Sequence, residues 1–106
     1  MTKRIFMCRV DELGEGKMRQ VALPEYDAEV AVYHAQGRFY ATDDLCTHGM
    51  VALTGGDLDG TTVYCPLHGG AFDICTGKAT EKPCSIALKT YPVETDADGV
   101  WCLYET

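Results

Sequence analysis

Leu45-Cys46-Thr47-His48-Gly49 and, with sixteen residues between His48 and Cys65, Cys65-Pro66-Leu67-His68-Gly69-Gly70 are the two stretches on which the reading turns. Each supplies one cysteine and one histidine, the first spaced C-x-H and the second C-x-x-H. Two thiols and two imidazoles delivered in pairs make a four-donor metal set. The surrounding segment, residues 43–84, holds Gly49, Gly55, Gly56, Gly60, Gly69, Gly70 and Gly77, together with four of the six cysteines. Glycine frees the backbone for tight loops and for close approach to a bulky group. A long loop-rich stretch in a small domain is usually functional.

The order of the ligands bears on the metal. Structural zinc fingers usually segregate their ligands as C-x₂₋₄-C and H-x₃₋₅-H. Here every loop mixes the two types. That suits a two-iron cluster with both thiolates on one iron and both imidazoles on the other, the ligand division of a Rieske [2Fe–2S] centre. A zinc site is the alternative.

Outside this segment the chain reads as short strands between frequent turns. Val30 to His34 and Arg38 to Thr42 flank Ala35-Gln36-Gly37 as a hairpin. Thr61 to Cys65 is β-branched and aromatic after Asp59-Gly60, and Asp57 to Gly60 reads as a turn rather than a calcium loop. Ala87 to Glu94 and Val100 to Tyr104 flank Asp96-Ala97-Asp98-Gly99, with Pro92 marking an edge or bulge. Ile5 to Val10 and Lys17 to Leu23 lie on either side of Gly14-Glu15-Gly16. Strands at this spacing predict an all-β sandwich or small barrel.

With 106 residues the chain is expected to form one domain. Its net charge of −7 argues against a sequence-independent nucleic-acid binder. Residues 1–38 balance six bases against six acids, so the whole excess falls in residues 39–106 and suggests an acidic face that steers partners. Ile5 to Cys8 is too short for a signal peptide or a spanning helix, so a cytoplasmic protein with no membrane association is expected. In a reducing compartment six cysteines are not expected to form three structural disulfides.

The sequence resembles the Rieske ferredoxins, through the two ligand loops, Phe72-Asp73, Thr76-Gly77-Lys78, Pro83 and Thr90-Tyr91-Pro92-Val93. The likeness spans essentially the whole chain. It implies a Rieske fold: an antiparallel β-sandwich basal domain, residues 1–42 and 85–106, with a small β cluster-binding subdomain, residues 43–84, inserted. It implies one [2Fe–2S] cluster held by Cys46, His48, Cys65 and His68, with the histidines near the surface at the tip and the Pro83 loop covering the cluster. Val51 and Leu67 stand where respiratory members carry a second cysteine pair, so that disulfide cannot form. Gly70 and Phe72 stand where those proteins place hydroxyls on the cluster sulfurs. Fewer hydrogen bonds to sulfur predict a potential near the low end of the Rieske range, roughly −150 to +300 mV.

The resemblance implies a single-electron carrier, the ferredoxin component of a bacterial aromatic-ring-hydroxylating dioxygenase system. Its donor would be a flavin-dependent NAD(P)H ferredoxin reductase and its acceptor a terminal Rieske non-haem iron oxygenase, met by a monomer. Gly49, Met50, Pro66, Leu67, Gly69 and Gly70 would form an apolar patch around the histidines. A small subunit of a permanent complex, such as a nitrite reductase, and a zinc-binding interaction module are the other two classes. No nucleophile triad, P-loop or dinucleotide fingerprint is present, so the chain is not expected to be an enzyme by itself. Cys8, Cys84 and Cys102 are expected to pack as small hydrophobes, as is Cys75; Cys75 and Cys84 could pair. His34 is expected on a strand surface. Tyr33, Phe39, Tyr40, Tyr64 and Trp101 are core candidates, and Asp73 and Lys78 would fix the second loop.

Overall fold

The computed structural model describes residues 1–47, 51–67 and 69–105. Eleven strands make three antiparallel sheets among the described residues. β1 (Thr2–Cys8), β10 (Val93–Thr95) and β11 (Val100–Glu105) form the first, in the order β1-β11-β10. β2 (Met18–Leu23), β3 (Ala28–Ala35), β4 (Arg38–Asp43) and β9 (Thr90–Tyr91) form the second, in that order. β5 (Asp57–Asp59), β6 (Thr62–Tyr64), β7 (Ala71–Asp73) and β8 (Ala79–Glu81) form a meander between β4 and β9 in the chain. No helix among the described residues is long and apolar enough to cross a membrane.

β3 explains how the sheets stack. Val30, Ala31, Val32 and Tyr33 are all fully buried, so both faces of this strand are covered. Successive side chains point to opposite faces of a sheet. Val30 and Val32 accordingly join Met7, Cys8, Val100 and Cys102 of the first sheet. Ala31, Tyr33 and Ala35 join Leu53, Val63, Phe72, Ile74 and Leu88 on the meander side. The second sheet is thus the middle layer, and the loops that hold Cys46 and Cys65 share its meander-side core.

The β3–β4 hairpin closes through Gln36 and Gly37, both at positive φ (53° and 76°). That geometry matches the two-residue turns whose twist suits paired strands. Pro92 does more than mark an edge. β9 ends before it in the second sheet and β10 begins after it in the first, and the Pro92 carbonyl accepts from Leu103 N–H at 2.9 Å. Without an N–H of its own, proline suits the point where the chain leaves one ladder for another.

Several expectations need correction. Asp57–Asp59 is a strand paired with Thr62–Tyr64, and the turn is confined to Gly60 and Thr61. The stretches flanking Gly14-Glu15-Gly16 are strands as expected, β1 running against β11 and β2 against β3. Val10 belongs to a short 3₁₀ turn rather than a strand, and Ala87 to Lys89 lie outside any strand. Of the five aromatic core candidates only Tyr33 is fully buried, its hydroxyl 2.8 Å from Thr42 Oγ1. Phe39, Tyr40, Tyr64 and Trp101 are half-buried. His34 is structural: Nδ1 lies 2.8 Å from the Leu13 carbonyl and its ring stacks on Phe39.

Candidate metal centre

β4 leads the chain directly into the first ligand loop, and the exit is fixed by Asp44. This carboxylate is fully buried. Its Oδ1 accepts from Thr54 N–H at 2.9 Å, and its Oδ2 accepts from Thr54 Oγ1 at 2.9 Å and from the Gln20 amide at 2.5 Å. A buried charge costs several kcal/mol unless its oxygens are satisfied, roughly the condition met here. Leu45 and Ala52 then bridge across the base of the loop, and Cys46 N–H donates to the Val51 carbonyl at 2.9 Å.

The second loop repeats the device. It leaves β6 after Tyr64, returns into β7 at Ala71, and is closed by Cys65 N–H donating to the Gly70 carbonyl at 2.7 Å. In both loops the cysteine N–H reaches a carbonyl five residues further on. In sequence, His48 falls inside the first closure and His68 inside the second. Those two histidines, with Gly49 and Met50, lie outside the described residues.

The closures place the two thiols together. Cys46 and Cys65 are 2% and 3% exposed and lie close enough for their thiols to interact, with the Leu67 N–H facing the Cys65 sulfur. Burial pushes the Cys65 thiol up, and the Cys46 thiol adds to the rise, against the Leu67 N–H. Binding of a metal ion displaces such protons and supplies the positive charge that the interior lacks.

A third segment covers both loops. Thr47 Oγ1 donates to the Ile86 carbonyl at 2.7 Å, and Cys84 Sγ lies 3.7 Å from Cys46 Sγ. Cys84 is buried, and burial first, then Cys46, pushes its thiol up to about 12. A Cβ on Gly70 would lie 2.3 Å from Cys84 Sγ, so only glycine leaves room for that sulfur. Cys84 is therefore not paired with Cys75, which is exposed. Cys75 does not pack as expected; its N–H donates to Asp73 Oδ1 at 2.8 Å. Asp73 and Lys78 therefore hold the turn after β7 rather than the second ligand loop, the Lys78 carbonyl accepting from Asp73 N–H at 2.9 Å.

Around the loops Leu45, Leu67 and Ile86 are exposed, at 43%, 43% and 65%. Pro66 and Gly69 share that surface, but Gly70 is buried beneath it, under Cys84. Leu45 adjoins Cys46 in the sequence, whereas nothing in the spacing of Ile86 places it beside the ligand loops. A surface groove of about 750 Å³ lined by Arg38, Tyr40, Ile74 and Cys75 includes none of the ligand-loop cysteines.

Two buried soft donors from matching loops, with an N–H aimed at one sulfur, fit an iron–sulfur cluster on the thiolate side. Among the described residues no group of three His, Cys, Asp or Glu could hold a metal ion, so Cys84 does not complete a site without the histidines. The all-β fold with its two equivalent cysteine loops defines the class as a candidate iron–sulfur protein. Residues 3–92 match the model of the Rieske [2Fe-2S] domain, and the chain belongs to that family.

A ferredoxin component of naphthalene 1,2-dioxygenase/salicylate 5-hydroxylase systems from Ralstonia sp. is 44% identical over 87 residues, 82% of each chain. The solved structure of a Sphingomonas yanoikuyae B1 ferredoxin is 42% identical, covering 98% of this chain and 100% of its own, with a TM-score of 0.89. A chain from a complex of reduced oxygenase and oxidised ferredoxin in carbazole 1,9a-dioxygenase is 38% identical, covering 94% of this chain and 92% of its own, with a TM-score of 0.90. The protein is thus a Rieske ferredoxin with a single Rieske-type cluster. It is an electron-transfer component of the kind found in aromatic dioxygenase systems and not itself the catalyst.

Proposed function

We propose that Cys46 and Cys65 hold one iron and His48 and His68 the other, within a cluster-binding unit of residues 43–84 on a basal unit of residues 1–42 and 85–106. The observation that carries this reading is the pair of equivalent loop closures, which bring Cys46 and Cys65 together in the interior. When bound, the cluster accepts and releases one electron at a time. The chain's own part is to position the thiolates, to donate Leu67 N–H to sulfur and to exclude water with Cys84, Leu53 and Phe72.

The electron comes from a flavin-dependent NAD(P)H reductase and goes to a terminal Rieske non-haem iron oxygenase acting on an aromatic ring. The carrier works as a monomer in the cytoplasm. Leu45, Leu67 and Ile86 form the apolar contact through which it meets both partners in turn. Such encounters bury little area, less than about 1,200 Å².

Reconstitution tests this function. Purified carrier should make NADH-driven ring hydroxylation by a reductase and oxygenase pair depend on its concentration, and it should run as a free monomer. A protein that transfers no electrons to any such oxygenase, or that purifies only in a permanent complex, contradicts the proposal. The transfer rate should also vary with ionic strength if the −7 charge steers encounter.

A further inference from the structure

We propose that Cys84 is a positioning residue that donates an S–H hydrogen bond to the Cys46 sulfur and so raises the potential of the site. The inference rests on the reading of Cys46 as an iron ligand. Three observations carry it. Cys84 Sγ lies 3.7 Å from Cys46 Sγ, a distance suited to a bond between two large sulfur atoms. The two thiols lie in a common buried core with Leu53, Val63 and Phe72, so water does not compete for the acceptor. The space Cys84 occupies is the space a side chain at position 70 would need, since a Cβ there would come within 2.3 Å of its sulfur.

Position 70 is glycine, so it has no hydroxyl to offer, and Phe72 has none either. Cys84 brings one donor to the same place from a different strand connection, the turn after β8 (Ala79–Glu81). A thiol carries one proton it can donate. On reduction the Cys46 sulfur gains negative charge and accepts more strongly. The proton stays on Cys84, no covalent bond forms or breaks, and the one electron added is the carrier's ordinary cargo. Donors to sulfur favour the reduced, more negative state and raise its potential.

The test compares the holoprotein with Cys84→Val, which keeps the bulk and removes the donor, and Cys84→Ser, which keeps a donor. In Cys84→Val the equilibrium constant for reduction should fall roughly fivefold, which is about 40 mV at about 59 mV per tenfold for one electron. Cys84→Ser should lie closer to wild type than Cys84→Val does. Equal potentials in all three proteins, or equal falls in both variants, overturn the proposal. The infrared difference spectrum of the wild type adds a reading that needs no variant: an S–H stretch should move to lower frequency on reduction. A stationary band overturns the donor role even if Cys84→Val fails to load its cluster. A failure of the ligand reading looks different, because Cys46 could then be replaced with the cluster signal intact.

Discussion

Replacing Gly70 by alanine should destabilise the holoprotein through one atom. The new Cβ would meet Cys84 Sγ at 2.3 Å, the Cys84 nitrogen at 3.1 Å and its Cβ at 3.3 Å. Contact distance for two such atoms is about 3.5–4.0 Å, so the sulfur must move. It cannot move far, because Cys84 is already buried against Cys46. Overpacking of this kind costs roughly 1–3 kcal/mol. A cost of about 2 kcal/mol lowers the midpoint of a domain this size by roughly 8–16 °C. Thermal unfolding followed by loss of visible cluster absorbance would measure it. In a Cys84→Ala background the same change should cost at most half as much, since the obstructing sulfur is gone and only the milder contacts with the position-84 nitrogen and Cβ remain. Neighbouring sites couple in this way, by about 0.5–3 kcal/mol. Equal losses from Gly70→Ala with and without Cys84 would refute the packing of Cys84 against the second ligand loop.

Asp44→Ala should strip the acceptor from Thr54 N–H, Thr54 Oγ1 and the Gln20 amide, costing about 2–4 kcal/mol, and cluster loss under chelator should quicken. Unchanged kinetics would show that the first loop does not depend on this anchor. Asp96 is held well below the usual carboxylate range, chiefly by Arg4 and then by Trp101 Nε1–H. Because the folded value is depressed, its contribution is present above the ordinary aspartate value of about 3.9 and is lost as pH falls through the folded one. Trp101 fluorescence should therefore change only at pH well below about 3.9 and show no such step in Asp96→Asn. A step at or above that value would contradict the Arg4–Asp96–Trp101 arrangement. Cys75 is the exposed cysteine, whereas burial pushes Cys8 up and holds Cys102 at about 11. Iodoacetamide should label Cys75 alone in the native holoprotein, as peptide mapping would show.

Much of the site was legible because metal donors announce themselves by type and spacing. Cys46, His48, Cys65 and His68 need no long-range contact to be noticed. The β3–β4 hairpin was equally plain, since two β-branched and aromatic runs on either side of Gln36-Gly37 specify both strands and turn. What escaped depends on contacts between distant segments. Cys84 reads as a small hydrophobe until the fold brings it 38 residues back to Cys46. Asp44 looks like any acid in an acidic half until its oxygens are seen to meet Gln20 and Thr54. Asp57–Asp59 reads as part of a turn because aspartates disfavour strands in isolation. Pairing with β6 overrides that preference. Pro92 signalled an irregularity, but the switch from one sheet to the other is a property of the whole topology.

The measurement that reaches the central claim most directly is electron paramagnetic resonance of the dithionite-reduced protein, alone and with His48 or His68 replaced. The reduced protein should give a signal whose average g value lies below that of the free electron, abolished or grossly altered by either replacement. A silent, colourless protein, or a signal unchanged in either variant, would contradict the assignment of Cys46, His48, Cys65 and His68 as the ligands of the cluster.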